Sequence, residues 1–232
     1  MSEFENIIAE QFSFVKALKS SADKEYIAMR HKTFGTEIAV LNFCGETDVY
    51  EILKGISHRN LPRVFSVEKS GENCRVIEEY INGVTVADNL QNGLYMEKGV
   101  RTIVREVCSA LDVLHSMNVI HRDIKPENIM IDSAGNVKLI DFDASRVYKS
   151  YKSRDTSFVG TAGFAAPEQF GFNQTDPRSD IFALGILMNV MLTGEHPSKQ
   201  LYKGKLTPVI KKCISVDPNA RFSNVRELYS KL

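Results

Sequence analysis

The sequence predicts an α+β fold in which a small β-rich lobe leads into a larger helical lobe. Three observations predict it. The first ninety residues are dominated by short runs of β-branched and aromatic residues cut by turn formers. After Gly83 the apolar positions change to the three-and-four spacing of amphipathic helices. The 232 residues are 43% hydrophobic and 25% charged, the balance of an ordinary globular protein. A chain of this length buries roughly 70–75% of the surface its unfolded form exposes, so its core needs neither a disulfide nor a metal. One domain over residues 1–232 is expected, with lobes at about 1–82 and 83–232.

Taken in order, Tyr26-Ile-Ala-Met29, Glu37-Ile-Ala-Val-Leu-Asn-Phe43 and Arg75-Val-Ile-Glu-Glu-Tyr-Ile81 read as strands. Phe34-Gly35 and Ser70-Gly71-Glu72-Asn73 supply turns, and one helix interrupts the strands near Asp48 to Gly55. Val100, Ile103, Val104, Val107, Ala110, Leu111 and Leu114 mark one face of a long helix. Ile181 to Leu192 reads as a buried helix, and shorter ones are expected near Thr207–Ser215 and Phe222–Leu232. Residues 149–154, Lys-Ser-Tyr-Lys-Ser-Arg, read as a solvated basic loop.

Composition excludes several function classes. Lys plus Arg equals Asp plus Glu, 29 against 29, so no single-signed field recruits nucleic acid or anionic lipid. Met1-Ser2-Glu3-Phe4-Glu5 has no basic n-region or apolar h-region, and Ile181–Leu192 is too short to span a bilayer. Cys44, Cys74, Cys108 and Cys213 are scattered with no C-x-x-C, the pattern of reduced thiols rather than a zinc site. A soluble, cytoplasmic protein with no membrane or nucleic-acid partner is expected.

Between the two long helical patterns sits Val119-Ile-His-Arg-Asp-Ile-Lys-Pro-Glu-Asn-Ile-Met-Ile-Asp132, followed by Val137-Lys-Leu-Ile-Asp-Phe-Asp143. A lone Asp or Asn in a loop is usually a turn former. Phosphoryl transfer, however, needs a carboxylate beside the attacking hydroxyl, a cation on the transferring phosphate and oxygen ligands for magnesium, which is this set of residue types. The two stretches resemble the catalytic and metal-binding loops of protein kinases. The resemblance implies a bilobal protein-kinase-like fold, ATP and Mg2+ as cofactors, Asp123 as catalytic base and Lys125 on the γ-phosphate. It implies Asn128 and Asp141 as metal ligands, and Ala39 and Met130 beside the nucleotide. A lysine two residues after the aspartate is the form found in Ser/Thr kinases.

The resemblance continues downstream. Gly160-Thr-Ala-Gly-Phe-Ala-Ala-Pro-Glu168 looks like the end of an activation segment, which sugar and antibiotic phosphotransferases lack. Asp180 matches the aspartate that braces the catalytic loop, and Arg221 the arginine that pairs with Glu168; these roles are structural. Arg122 resembles the arginine that receives a phosphorylated activation loop, with Thr156 and Ser157 as candidate acceptors beside Arg154. Little room is left between Pro197 and Leu206 for the usual docking helix.

The nucleotide half departs from the pattern. Aligning Tyr26-x-Ala28 on the second strand puts Leu18, Ser20 and Asp23 where three glycines let backbone N–H groups approach the phosphates. Ile38-Ala-Val-Leu41 puts Leu41 where the phosphate-gripping lysine belongs, and Val49 falls at its helix glutamate partner. Two apolar residues pack together where one unpaired charge would not. The same alignment places Glu25 against the base and Glu78 at the gatekeeper position, while Asp143 replaces the glycine of D-F-G. A relocated cation, Lys24 or Lys19, is one resolution; a register shifted by a residue or two is another. Two functions follow: an atypical Ser/Thr protein kinase moving the ATP γ-phosphate to a protein hydroxyl, or a pseudokinase that binds and regulates a protein partner. The first is preferred because the phosphoryl-transfer residues are the more specific signal.

Overall fold

A computed structural model describes residues 7–8, 10–21, 24–148, 161, 163–170 and 175–232. The chain divides into two compact units, Met1–His58 with Pro62–Ile81 and Arg59–Leu61 with Asn82–Leu232.

The first unit is an antiparallel five-stranded sheet. Its strands are β1 (Phe12–Ser21), β2 (Lys24–His31), β3 (Glu37–Cys44), β4 (Val64–Ser70) and β5 (Asn73–Glu79), in the order β1-β2-β3-β5-β4. Gly35 and Gly71 take φ of +68° and +63° in the β2–β3 and β4–β5 turns, a left-handed backbone that glycine adopts without steric cost. The strand β1 was not legible in the sequence. Its pairing with β2 shifts register between Phe14 and Lys16 and again between Ala17 and Lys19, so its apolar residues do not keep a period of two. The helix α1 (Asp48–Lys54) buries Val49, Tyr50 and Leu53, with Asp48 and Glu51 in its first turn and Lys54 in its last, each favourable to the helix dipole.

The second unit is mostly helical. It opens with β6 (Gly83–Thr85), α2 (Val86–Leu90) and α3 (Glu97–Ser116), whose apolar stripe from Val100 to Leu114 is the one the spacing predicts. Two small sheets follow, β7 (Val119–Ile120) with β10 (Arg146–Val147), and β6 with β8 (Ile129–Asp132) and β9 (Val137–Leu139). The helix α4 (Arg178–Thr193) is buried on nearly every side and ends at Gly194, φ +74°. At Gly185 a Cβ would stand 2.5 Å from the Cys213 Cβ, so glycine is what lets α4 approach α5 (Thr207–Cys213). A final short helix, α6 (Val225–Tyr229), starts at Asn224, whose side chain accepts from the Glu227 N–H.

No helix or strand lies between Thr193 and Thr207, as the short spacing there suggests. Buried Asn189 organises that stretch: Nδ2 donates to the carbonyls of Glu195 and Gln200, and Oδ1 accepts from the Tyr202 N–H. Among the described residues no helix is long and apolar enough to cross a membrane. All four cysteines are free thiols, Cys44 exposed and the others buried.

Candidate active site

The loop after β7 is built around buried polar groups. Asp180, in the first turn of α4, is fully buried, and its Oδ2 accepts the His121 N–H at 3.0 Å while Oδ1 accepts the Arg122 N–H at 2.8 Å. The His115 Nε2 lies 2.8 Å from the same Oδ2. Burial works against ionisation of Asp180, but the hydrogen bond and charge of His115, with the donors of the loop, hold its pKa below the ordinary carboxylate value. His121 is buried too; burial pushes its pKa down despite the negative charges of Asp180, Asp123 and Asp141. Its ring packs edge-on to Phe142, with Nε2 3.2 Å from the Ile140 carbonyl oxygen.

This brace positions a compact cluster. Asp123 Oδ2 is 2.7 Å from Lys125 Nζ and accepts Asn128 Nδ2 at 2.9 Å. Asp123 Oδ1 accepts the Thr161 hydroxyl at 2.7 Å, and Lys125 Nζ donates to the Thr161 Oγ1 at 2.7 Å. Asp123, Lys125 and Asn128 are thus brought together, and Thr161 joins them. Sequence reasoning did not single out Thr161, although it lies in the quoted Gly160–Glu168 segment; only folding brings its hydroxyl to the loop.

The pairing of β8 with β9 brings the chain back to Asn128. Ile129 stands opposite Leu139, and the Ile140 N–H, one residue before Asp141, donates to the Asn128 carbonyl at 3.0 Å. Asn128 donates through Nδ2 to Asp123, so Oδ1 is the atom it can offer a cation. An amide oxygen and a carboxylate are hard donors, which fit Mg2+. Arg122 and Asp141 have φ of +69° and +65°, two of the three non-glycine residues with positive φ among those described. Backbone held in that region concentrates at functional sites. Asp143, at the end of the same turn, is exposed. Met130, in β8, pairs with Lys138 and Thr85 and is half-buried.

The downstream residues stand as follows. Glu168 is buried against Arg221, two oxygens to two nitrogens at 2.7 and 2.9 Å, and accepts the Ser179 hydroxyl at 2.9 Å. Gln169 Nε2 donates to the Arg122 carbonyl at 2.8 Å, tying that turn to the catalytic-type loop. Asp23, Thr156, Ser157 and the basic segment 149–154 lie outside the described residues.

In the first unit, Ala39 and Leu41 lie on one face of β3, 0% and 3% exposed, and Val49 is buried in α1. Cross-strand partners share a face, and residues alternate along each strand. Tyr26 is opposite Leu41, Ala28 is opposite Ala39, and Glu78 is opposite Ala39 on the other side. Glu25 pairs with Asn42 and accepts its Nδ2 at 3.2 Å, on the opposite face from Ala39. The expectation that Glu25 and Ala39 both lie against the base is therefore corrected: the alignment was one residue out, and Tyr26 shares the face of Ala39. Leu18 falls at a bulge, and Ser20 pairs with Glu25. Lys19, opposite Tyr26, and Lys24, opposite Phe43, share the Leu41 face. So does Lys16, opposite Ala28, with Nζ 5.6 Å from the centre of the Tyr80 ring. The bulges in β1 concealed Lys16 from a reading by period.

Comparison with known proteins agrees with this geometry. The family model described as protein kinase domain matches residues 9–212. The chain is 31% identical over 202 residues to the serine/threonine-protein kinase STE20 of Eremothecium gossypii, covering 78% of this chain and 21% of that protein. It is 31% identical over 219 residues to the protein kinase kin1 of Schizosaccharomyces pombe, 94% of this chain and 22% of that protein. Against a probable myosin light chain kinase of Dictyostelium discoideum the identity is 26% over 216 residues, 90% of this chain and 60% of that protein. The chain thus spans less than two thirds of each of these relatives. With the family match running through β1 to α5 and the loop residues assembled as described, the chain belongs to the protein kinase domain family.

Proposed function

We propose that this chain is the catalytic domain of an atypical Ser/Thr protein kinase, transferring the γ-phosphoryl group of ATP to a hydroxyl of a protein substrate. The observation that carries the reading is the cluster of Asp123, Lys125, Asn128 and Thr161, in which each side chain is held by another. Bound Mg2+-ATP supplies the transferable phosphoryl group and neutralises its charge. Asp123, fixed by three donors, is the group to orient and accept the proton of the attacking hydroxyl. Lys125, already beside that carboxylate, is the cation for the transferring phosphate. Asn128 Oδ1 and the Asp141 carboxylate would hold the metal, and Ala39 and Met130 would flank the nucleotide. With Leu41 in the lysine position, Lys19 or Lys24 is proposed as the substitute cation, since register places both on the Leu41 face. Arg122, with Thr156 or Ser157 as phosphate acceptor, is the proposed activation switch.

A second reading has its own support. Leu41 and Val49 are both buried and apolar, so the pair expected to be lysine and glutamate forms part of a core instead. On that reading the domain is a pseudokinase acting through a protein partner.

Calorimetry of ATP binding with and without Mg2+ separates the two, comparing wild type with Asp141→Asn. Metal-dependent binding that weakens at least tenfold in the variant, with phosphate transfer abolished by Asp123→Asn, is expected for the enzyme. A folded protein that takes up no nucleotide at millimolar ATP refutes it and leaves the partner-binding role.

A further inference from the structure

The first unit carries a hydrogen bond that its strand order makes unusual. The Tyr26 hydroxyl donates to the Glu78 Oε1 at 2.6 Å. Tyr26 is on β2 and Glu78 on β5, the two strands that flank β3. Their backbones stand about 9.5 Å apart, two strand spacings. A bond between side chains rooted on them can close only across the face of β3. Tyr26 stands opposite Leu41 and Glu78 opposite Ala39, so the bond runs diagonally over the ground between those two residues. Ala39 leaves room for it: it offers no atom beyond Cβ, and it is fully buried.

The chemistry makes the contact durable. Glu78 is 5% exposed, and a carboxylate so buried needs donors. The phenol O–H supplies one at Oε1, and a buried acceptor that loses its donor bears the full cost of its desolvation. The ring that delivers it is flat, aromatic and laid on the sheet face where the kinase reading seats the nucleobase beside Ala39.

Resting on that reading, we propose that Tyr26, latched by Glu78, is a built-in competitor for the nucleobase: the ring occupies the base seat on the first unit's sheet, and nucleotide enters by displacing it. Displacement is a competition rather than a block, because a nucleobase brings N–H donors that take the place of the phenol on Glu78. The latch lowers nucleotide affinity without abolishing it. It also gives Glu78, an acid at an otherwise apolar position, a role that does not require it to face the base alone.

The test is calorimetric titration of adenosine and of Mg2+-ATP into wild type, Tyr26→Val and Tyr26→Phe, with the thermal midpoint of each recorded. Tyr26→Val is expected to tighten adenosine binding at least fivefold, and Mg2+-ATP binding by a similar factor. Tyr26→Phe, which removes only the latching hydroxyl and keeps the packing, is expected to tighten adenosine at least twofold. It decides the matter if the valine variant fails to fold. Nucleotide binding by wild type that stays unchanged or weakens in the folded variants overturns the latch and leaves the kinase reading standing. Absence of binding in wild type and variants alike overturns the kinase reading, and the latch with it.

Discussion

Glu168 and Arg221 close a two-point ion pair inside the second unit, with Nη1 to Oε1 at 2.7 Å and Nη2 to Oε2 at 2.9 Å. The remaining guanidinium donors are also used: Nε reaches the Ser215 carbonyl at 2.8 Å, and Nη1 the Arg178 carbonyl at 3.0 Å. Arg221→Met would strand a buried carboxylate with the Ser179 hydroxyl alone, and such a loss costs about 3–5 kcal/mol. An unfolding free energy from urea titration reduced by that amount is expected. A loss below about 1 kcal/mol would show that the pair is not the joint it resembles.

Thr161 bridges Asp123 and Lys125 and touches both through a single oxygen. If Asp123 is the base proposed above, Thr161→Ala is expected to lower kcat roughly tenfold by loosening it, in line with the loss of one orienting hydrogen bond. Thr161→Ser keeps the oxygen and should recover most of the rate at unchanged KM. Equal rates for wild type and the alanine variant would remove Thr161 from the machinery.

Acid should destabilise the second unit in two stages. His121 is kept neutral in the fold because burial depresses its pKa, whereas the unfolded chain protonates it near 6.5. The unfolded state then binds the extra proton, so stability is full above about pH 6.5 and falls as the pH drops below it, by up to about 1.4 kcal/mol per pH unit. Asp180 has a depressed pKa as well, so its contribution is present above the ordinary carboxylate value and is lost as pH falls through its lower folded value. Unfolding midpoints measured between pH 8 and pH 3 check both stages, and His121→Phe should flatten the upper one.

Thiol chemistry offers a test of burial. Cys44 is exposed, whereas burial first, and then the charge of Asp112, pushes the Cys108 thiol up to about 12. Burial raises Cys213 well above its ordinary value. One thiol per chain should react promptly with Ellman's reagent at pH 8, and the buried three only as the protein unfolds. Rapid labelling of Cys108 or Cys213 would contradict the packing around α3 and α5.

Residue order alone was enough for the family, for a β-rich part ahead of a helical one, and for the nearness of Asp123, Lys125 and Asn128 in one loop. Those features are local: Asp123, Lys125 and Asn128 sit within a few residues of each other, and the stripe from Val100 to Leu114 repeats at a single period. Residues that act across strands or from distant segments were beyond it. Glu25 was placed against the base because a strand read by alignment has no independent record of its register, and a slip of one residue sends every side chain to the other face. The bulges in β1 hid that strand and Lys16 for the same reason. Thr161 reaches Asp123 from 38 residues away, and His115 reaches Asp180 from 65. Tyr26 meets Glu78 only because β3 lies between their strands. Partnerships of this kind are set by strand order and chain return, which are properties of the packed fold rather than of any stretch of sequence.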